Sequence, residues 1–257
     1  MNASGHSGEM FVIMDRLSYT ETSDYFSRIY RPRDNFDRFL NSHAQTDKFY
    51  WYDVLGTKCL RERRYAKAQD YLSQIPVDYQ EKLRVYPYMD RPPFSYNMET
   101  SFKDSLLAPN YKLHFAEAMA AHEQTMKHHP DPNKRAAAQI QYALGLRNSV
   151  HNCWSLTRYS SNVENDYTRN ATPDISYPKD STIYRHEEYL KLSEKLIEEA
   201  IPMFADRELA AQELQRLSNY KQILDEYGET FTAFNIRLYC DKWRDYVILS
   251  KKDSTFP

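Results

Sequence analysis

His122-Glu123-Gln124-Thr125-Met126 comes within one residue of the helical zinc-protease motif, in which two histidines four positions apart hold the metal and the glutamate serves as base. Met126 stands where the second imidazole belongs, so the ligand pair is absent. On an apolar stripe, His122 reads instead as a core histidine. His128-His129 offers two imidazoles beside Pro130, but neighbouring helical residues point about 100° apart, and a solvated helix end is the expectation. His151-Asn152-Cys153-Trp154 gathers the residue types of a thiol hydrolase. Such enzymes bring those groups together from distant segments, so Cys153 and Trp154 are expected to pack. No catalytic residue, metal ligand or cofactor is assigned.

The densest carboxylate group, Glu187, Glu188, Glu194, Glu198 and Glu199, reads as the wet face of an amphipathic helix. No Glu-x-x-His pair occurs, which argues against a ferritin-like two-metal site. A glycosidase-type acid pair drawn from separated segments stays open, because its spacing leaves no sequence trace. The five glycines are Gly5, Gly8, Gly56, Gly145 and Gly228, and they cannot be assembled into a phosphate-cradling loop. Nucleotide-dependent enzymes built on such loops are not expected. A formal net charge of −2 with interleaved acids and bases gives no basic stripe for nucleic acid or an anionic membrane. No apolar run is long enough to cross a bilayer, and Met1 to Met10 carries no signal-peptide pattern. Cys59, Cys153 and Cys240, odd in number and far apart, define no disulfide framework and read as small buried hydrophobes.

Helices must position whatever does the work. From Trp51-Tyr52-Asp53-Val54-Leu55-Gly56 onward, Tyr52, Leu55 and Cys59 share one face of a helix over about 48–62, and Ala68, Leu72 and Ile75 share one of a helix over about 65–75. Gly56 inside the first helix predicts close approach of the second, through Tyr65 or its backbone, with Ala68 opposite. Arg61 to Arg64 mark the turn and Pro76 the stop. A second Leu-Gly pair, Leu144-Gly145, lies 89 residues further on, within an expected helix over 133–159.

This stretch resembles a tetratricopeptide repeat (TPR). The aromatic, Leu-Gly, Ala and late apolar positions of that motif fall on Tyr52, Leu55, Gly56, Ala68 and Leu72, with Tyr65 as the aromatic opening the second helix. Cys59, Ile75 and the early Pro76 depart from it. The 89-residue spacing is no multiple of the usual ~34-residue period, so an array would be irregular. Segments around Arg147-Asn148-Ser149, Cys153 to Tyr159 and Cys240 to Tyr246 resemble an uncharacterised family of helical-repeat proteins from Bacteroides-type bacteria. That resemblance implies the C-terminal part of a longer, exported envelope protein and brings no activity with it.

The expected architecture is all-α: TPR-like hairpins in an irregular α-α superhelix, one domain over 21–250 between tails 1–20 and 251–257, with long insertions at 76–110 and 160–184. Thr22 or Ser23, Asp34 and Asp206 are expected helix caps, Pro202 a kink, and Gly228 a left-handed helix end. Further helices are expected over 110–129, 186–204, 206–227 and 230–249. Twenty-two tyrosines and three tryptophans supply broad contact area with polar tips. Most belong to helix packing. Tyr86, Tyr88, Phe94 and Tyr96 in the first long loop, then Tyr167 and Tyr177 in the second, are the candidate binding residues.

The functional expectation is a non-catalytic scaffold binding a protein, peptide or glycan partner. The alternatives are a polysaccharide hydrolase on a helical frame and a purely structural assembly domain. An enzyme requires two buried carboxylates, or a Cys beside a His, in one concave pocket. An assembly domain requires an exposed apolar patch at an array end.

Overall fold

The computed structural model describes residues 17–42, 44, 47–82, 93–96, 110–149 and 185–239, with side chains at all of these except 80–82 and 185–187. Among the described residues there are eleven α-helices, one short 3-10 turn and no strand, so the chain is all-α. Local chemistry sets most of the boundaries. Helix α1 (Tyr19–Tyr30) opens on a capping box: Ser18 Oγ accepts from the Glu21 N–H at 3.2 Å and Glu21 Oε2 accepts from the Ser18 N–H at 2.7 Å. It therefore begins ahead of the Thr22 or Ser23 cap expected from composition. Tyr19, placed by the sequence in a tail, is buried. Asp34 caps α2 (Asn35–Asn41) through the Asp37 N–H at 2.8 Å.

Helix α3 (Lys48–Arg61) is the centre of the molecule. Every residue from Tyr50 to Arg61 is buried, including Asp53, Lys58 and Arg61. The expected stripe of Tyr52, Leu55 and Cys59 is thus only one side of a helix enclosed all round, with Trp51 and Val54 facing a separate cluster under α1. Arg61 is inside the helix rather than in the turn. Helix α4 (Tyr65–Leu72) follows after a tight reversal in which the Arg64 N–H reaches the Cys59 carbonyl at 2.8 Å and the Arg63 N–H reaches Leu60 at 3.1 Å, with Arg63 left-handed at φ 57°. The helix stops at Leu72, so Ile75 packs into the core from a turn.

A short helix, α5 (Val77–Lys82), occupies the start of the segment read as an insertion. Asn110, left-handed at φ 62°, then leads into α6 (Tyr111–His128), and its amide donates to the Leu72 carbonyl at 3.2 Å. Helix α7 (Pro132–Ser149) takes Pro132 at its first position, where no N–H is missed. Helices α3, α4, α6, α7 and α8 (Arg185–Ala200) pack each on the next in chain order. Helix α7 carries two cores, with Tyr142 and Leu146 in the cluster around α3, α4 and α6, and Ile140 and Leu144 in the C-terminal cluster. Each large apolar side chain fully buried there contributes roughly 1.5–3 kcal/mol.

Pro202 sits in the 3-10 turn Ile201–Met203 that closes α8. The expected single helix over 206–227 is two: α9 (Arg207–Arg216), capped by Asp206, and α10 (Tyr220–Glu226). Ser218 at φ 60° breaks them, with the Asn219 N–H bonded to the Leu214 carbonyl at 2.8 Å and the Asn219 side chain accepting from the Gln222 N–H at 3.4 Å. Helix α11 (Phe231–Tyr239) is capped by Glu208 of α9, whose carboxylate accepts from the N–H groups of Phe231 at 2.8 Å and Thr232 at 3.2 Å. Gly228 does not adopt the left-handed φ expected of it. It lies against the Arg237 guanidinium.

Candidate functional site

The most charged interior point joins α3 to α6. Lys112 Nζ donates to both oxygens of Asp53 and to Thr57 Oγ1, each at 2.9 Å, and both side chains of the ion pair are nearly sealed from water. Three acceptors use all three N–H donors of the ammonium. Burial pushes the Lys112 ammonium below its ordinary range, Asp53 pulls it back up, and Arg61 adds to the lowering. Alongside, Lys58 Nζ donates to the Leu17 carbonyl, and Tyr189 of α8 donates its hydroxyl to the Arg61 carbonyl. These bonds tie α3 to α6, to α8 and to the residues just ahead of α1.

Glu213 is the other carboxylate buried among the described residues, and it belongs to α9. It accepts from the Tyr96 hydroxyl and from Arg216 Nη1, both at 2.6 Å. Asp53 and Glu213 thus sit in separate clusters, each against its own donors. Cys59 is buried, and desolvation pushes its thiol up to about 12. No group of three or more His, Cys, Asp or Glu among the described residues is placed to hold a metal ion.

Of the candidate binding residues, Tyr86, Tyr88, Tyr167 and Tyr177 lie outside the described residues, as do His151 to Trp154, Cys240 and Trp243. Phe94 and Tyr96 lie against the domain. The Phe94 ring stacks on Phe115 at 5.8 Å between centroids, meets His122 edge-on at 5.2 Å, and rests over Gly145. Tyr96 bonds Glu213 and accepts from Gln141 Nε2 at 2.8 Å, and burial beside the Glu213 carboxylate pushes its phenol up to about 12. The main chain of this segment is held as well: Asn148 Nδ2 reaches the carbonyls of Pro93 and Ser95, both at 2.9 Å, and Arg147 Nη2 reaches that of Tyr96 at 3.4 Å. Sequence reasoning missed Gln141, Asn148 and Glu213. For Gln141 and Asn148 the one sequence trace is the spacing Gln141, Gly145, Asn148, which puts them on one face of α7, and Glu213 of α9 left none.

The packing residues occupy the two helix crossings. Gly56 of α3 faces Leu72 of α4, where a Cβ would fall 2.6 Å from Leu72 Cγ, while Tyr65 turns instead to Tyr142 of α7, edge-on at 6.0 Å. Tyr52, Leu55, Ala68 and Leu144 are buried, and Gly145 faces Met119 and Phe94.

His122 is half-buried, and desolvation holds its imidazole below the ordinary value of 6.5. As pH falls, the unfolded chain therefore takes the proton first. Stability from neutral His122 is complete above about pH 6.5 and is lost as pH drops through the folded-state value. His122→Phe should flatten the fall in urea midpoint between pH 7.5 and 5.5, and an unchanged slope would refute the assignment.

Two of the described helices, α2 and α11, expose aromatic surface. Phe36 and Phe39 of α2 are 66% and 64% exposed, and Phe231 and Phe234 of α11 are 69% and 53% exposed. On α11 the exposed residues Phe231, Phe234 and Leu238 follow helix-contact spacing, while Thr232, Ala233 and Ile236 fill the buried face. No helix among the described residues is long and apolar enough to cross a membrane. No protein-family model, curated protein or solved structure matches the chain.

Proposed function

We propose that the chain is a TPR-like, non-catalytic helical scaffold that binds a protein partner. The observation that carries this reading is the apolar stripe of Phe231, Phe234 and Leu238 left open on α11, a helix already apolar on its inward face. A stacked helical series covers each helix with the next, so α11, the last of the described helices, with two apolar faces, is suited to packing against one more helix. The serial packing of α3, α4, α6, α7 and α8, with small residues at the crossings, supports the repeat-like frame.

The same stripe favours a second reading, an assembly domain whose end is covered by another part of a larger polypeptide. A photo-crosslinking residue in place of Phe234, introduced in the cells that make the protein, separates the two. A discrete adduct with another protein supports the scaffold, and crosslinks confined to the same polypeptide support the assembly domain. Adducts no more abundant than at exposed Glu117 would overturn both.

A further inference from the structure

One face of α7 holds the short segment at residues 93–96 against the domain. Gln141, Gly145 and Asn148 share one helix face, and each engages a different part of the segment Pro93-Phe94-Ser95-Tyr96. Asn148 reads the main chain through two carbonyls two residues apart, those of Pro93 and Ser95, a contact indifferent to side-chain identity that fixes register. Gly145 leaves a slot for an aromatic ring, walled by Phe115 and His122, and a Cβ there would fall 2.9 Å from Phe94 Cε1. Gln141 and Glu213 supply a donor and an acceptor to a phenolic hydroxyl at the far end. A ring slot, a main-chain clamp and a paired hydroxyl site together read the sequence Phe-x-Tyr.

We propose that this face of α7 is a peptide-recognition site for a Pro-Phe-x-Tyr turn, that residues 93–96 fill it within the chain, and that a partner polypeptide presenting the same turn competes for it. The contacts described are non-covalent and do not require that the turn belong to this chain: α6 packs Phe115 and His122 on the Phe94 ring, α7 supplies hydrogen bonds, and α9 supplies the Glu213 acceptor and the Arg216 guanidinium over the Tyr96 ring. The resident segment has the advantage of its tether. It acts as a competitor at high effective concentration, so a free peptide binds measurably only when the resident contacts are weakened.

The test is fluorescence anisotropy with a labelled peptide of residues 90–97 (Asp-Arg-Pro-Pro-Phe-Ser-Tyr-Asn) titrated into the full chain. The Phe94→Ala/Tyr96→Ala variant should bind it at least tenfold more tightly than the wild type, and adding Asn148→Ala should remove most of that gain. Because Phe94→Ala opens space beside Met119, Tyr96→Phe, which keeps its ring, is measured in parallel and should show the same gain at smaller size. No saturable binding to either variant at native helix content, equal affinity for variant and wild type, or binding indifferent to Asn148→Ala would each overturn the proposal. The crosslinking outcome at Phe234 is independent of all three.

Discussion

Lys112→Ala should lower the free energy of unfolding by about 3–5 kcal/mol, out of a total on the order of 5–15 kcal/mol. The substitution removes the ammonium from which both Asp53 oxygens accept, and Thr57 loses the same donor. The carboxylate then stays in a site where both side chains were more than nine-tenths covered. Stranding a buried charge costs far more than the pair itself contributes, because a sound ion pair roughly offsets its own desolvation. Asp53→Leu combined with Lys112→Met, which removes both charges and keeps volume, should therefore recover most of the loss. Urea unfolding followed by circular dichroism measures all three chains. A Lys112→Ala chain within ~1 kcal/mol of the wild type would show that the interior is wetter than the geometry implies.

The crossing of α3 and α4 gives the second large effect. Leu72→Ala should cost about 2–5 kcal/mol, since it empties a fully buried site. Gly56→Ala alone should cost about 1–3 kcal/mol from overpacking, less up to ~1 kcal/mol regained in helix propensity. A Cβ at position 56 would press on Leu72 Cγ and Cδ2, and Leu72 has no open side to swing into. The two substitutions should therefore compensate: together they should cost at least ~1 kcal/mol less than their sum, because the new methyl fills part of the space Leu72 leaves. Strict additivity in the double-mutant cycle would mean that the helices do not touch there.

The part of the fold legible in the sequence is the part set by neighbours along the chain. Apolar spacing placed helices over 48–62, 65–75 and 110–129, close to α3, α4 and α6, because a helix period is written within a few residues. Asp34 and Asp206 marked helix starts for the same reason, since a cap bonds only two or three residues ahead. The break between α9 and α10 left a fainter sign. A left-handed serine satisfies no residue preference, and only the capping role of Asn219 announces a new helix.

The sequence by itself determined an all-helical chain in which Gly56 and Gly145 sit inside helices. Tertiary structure alone decided that α3 would be enclosed on every side, that Asp53 would meet Lys112 across 59 residues, and that Phe94 and Tyr96 would turn inward onto α7. Asn148 and Pro93 are 55 residues apart and share no local pattern. Helical periodicity is a one-dimensional property of a segment, whereas the burial of a charge or the docking of a turn depends on which surfaces meet in space.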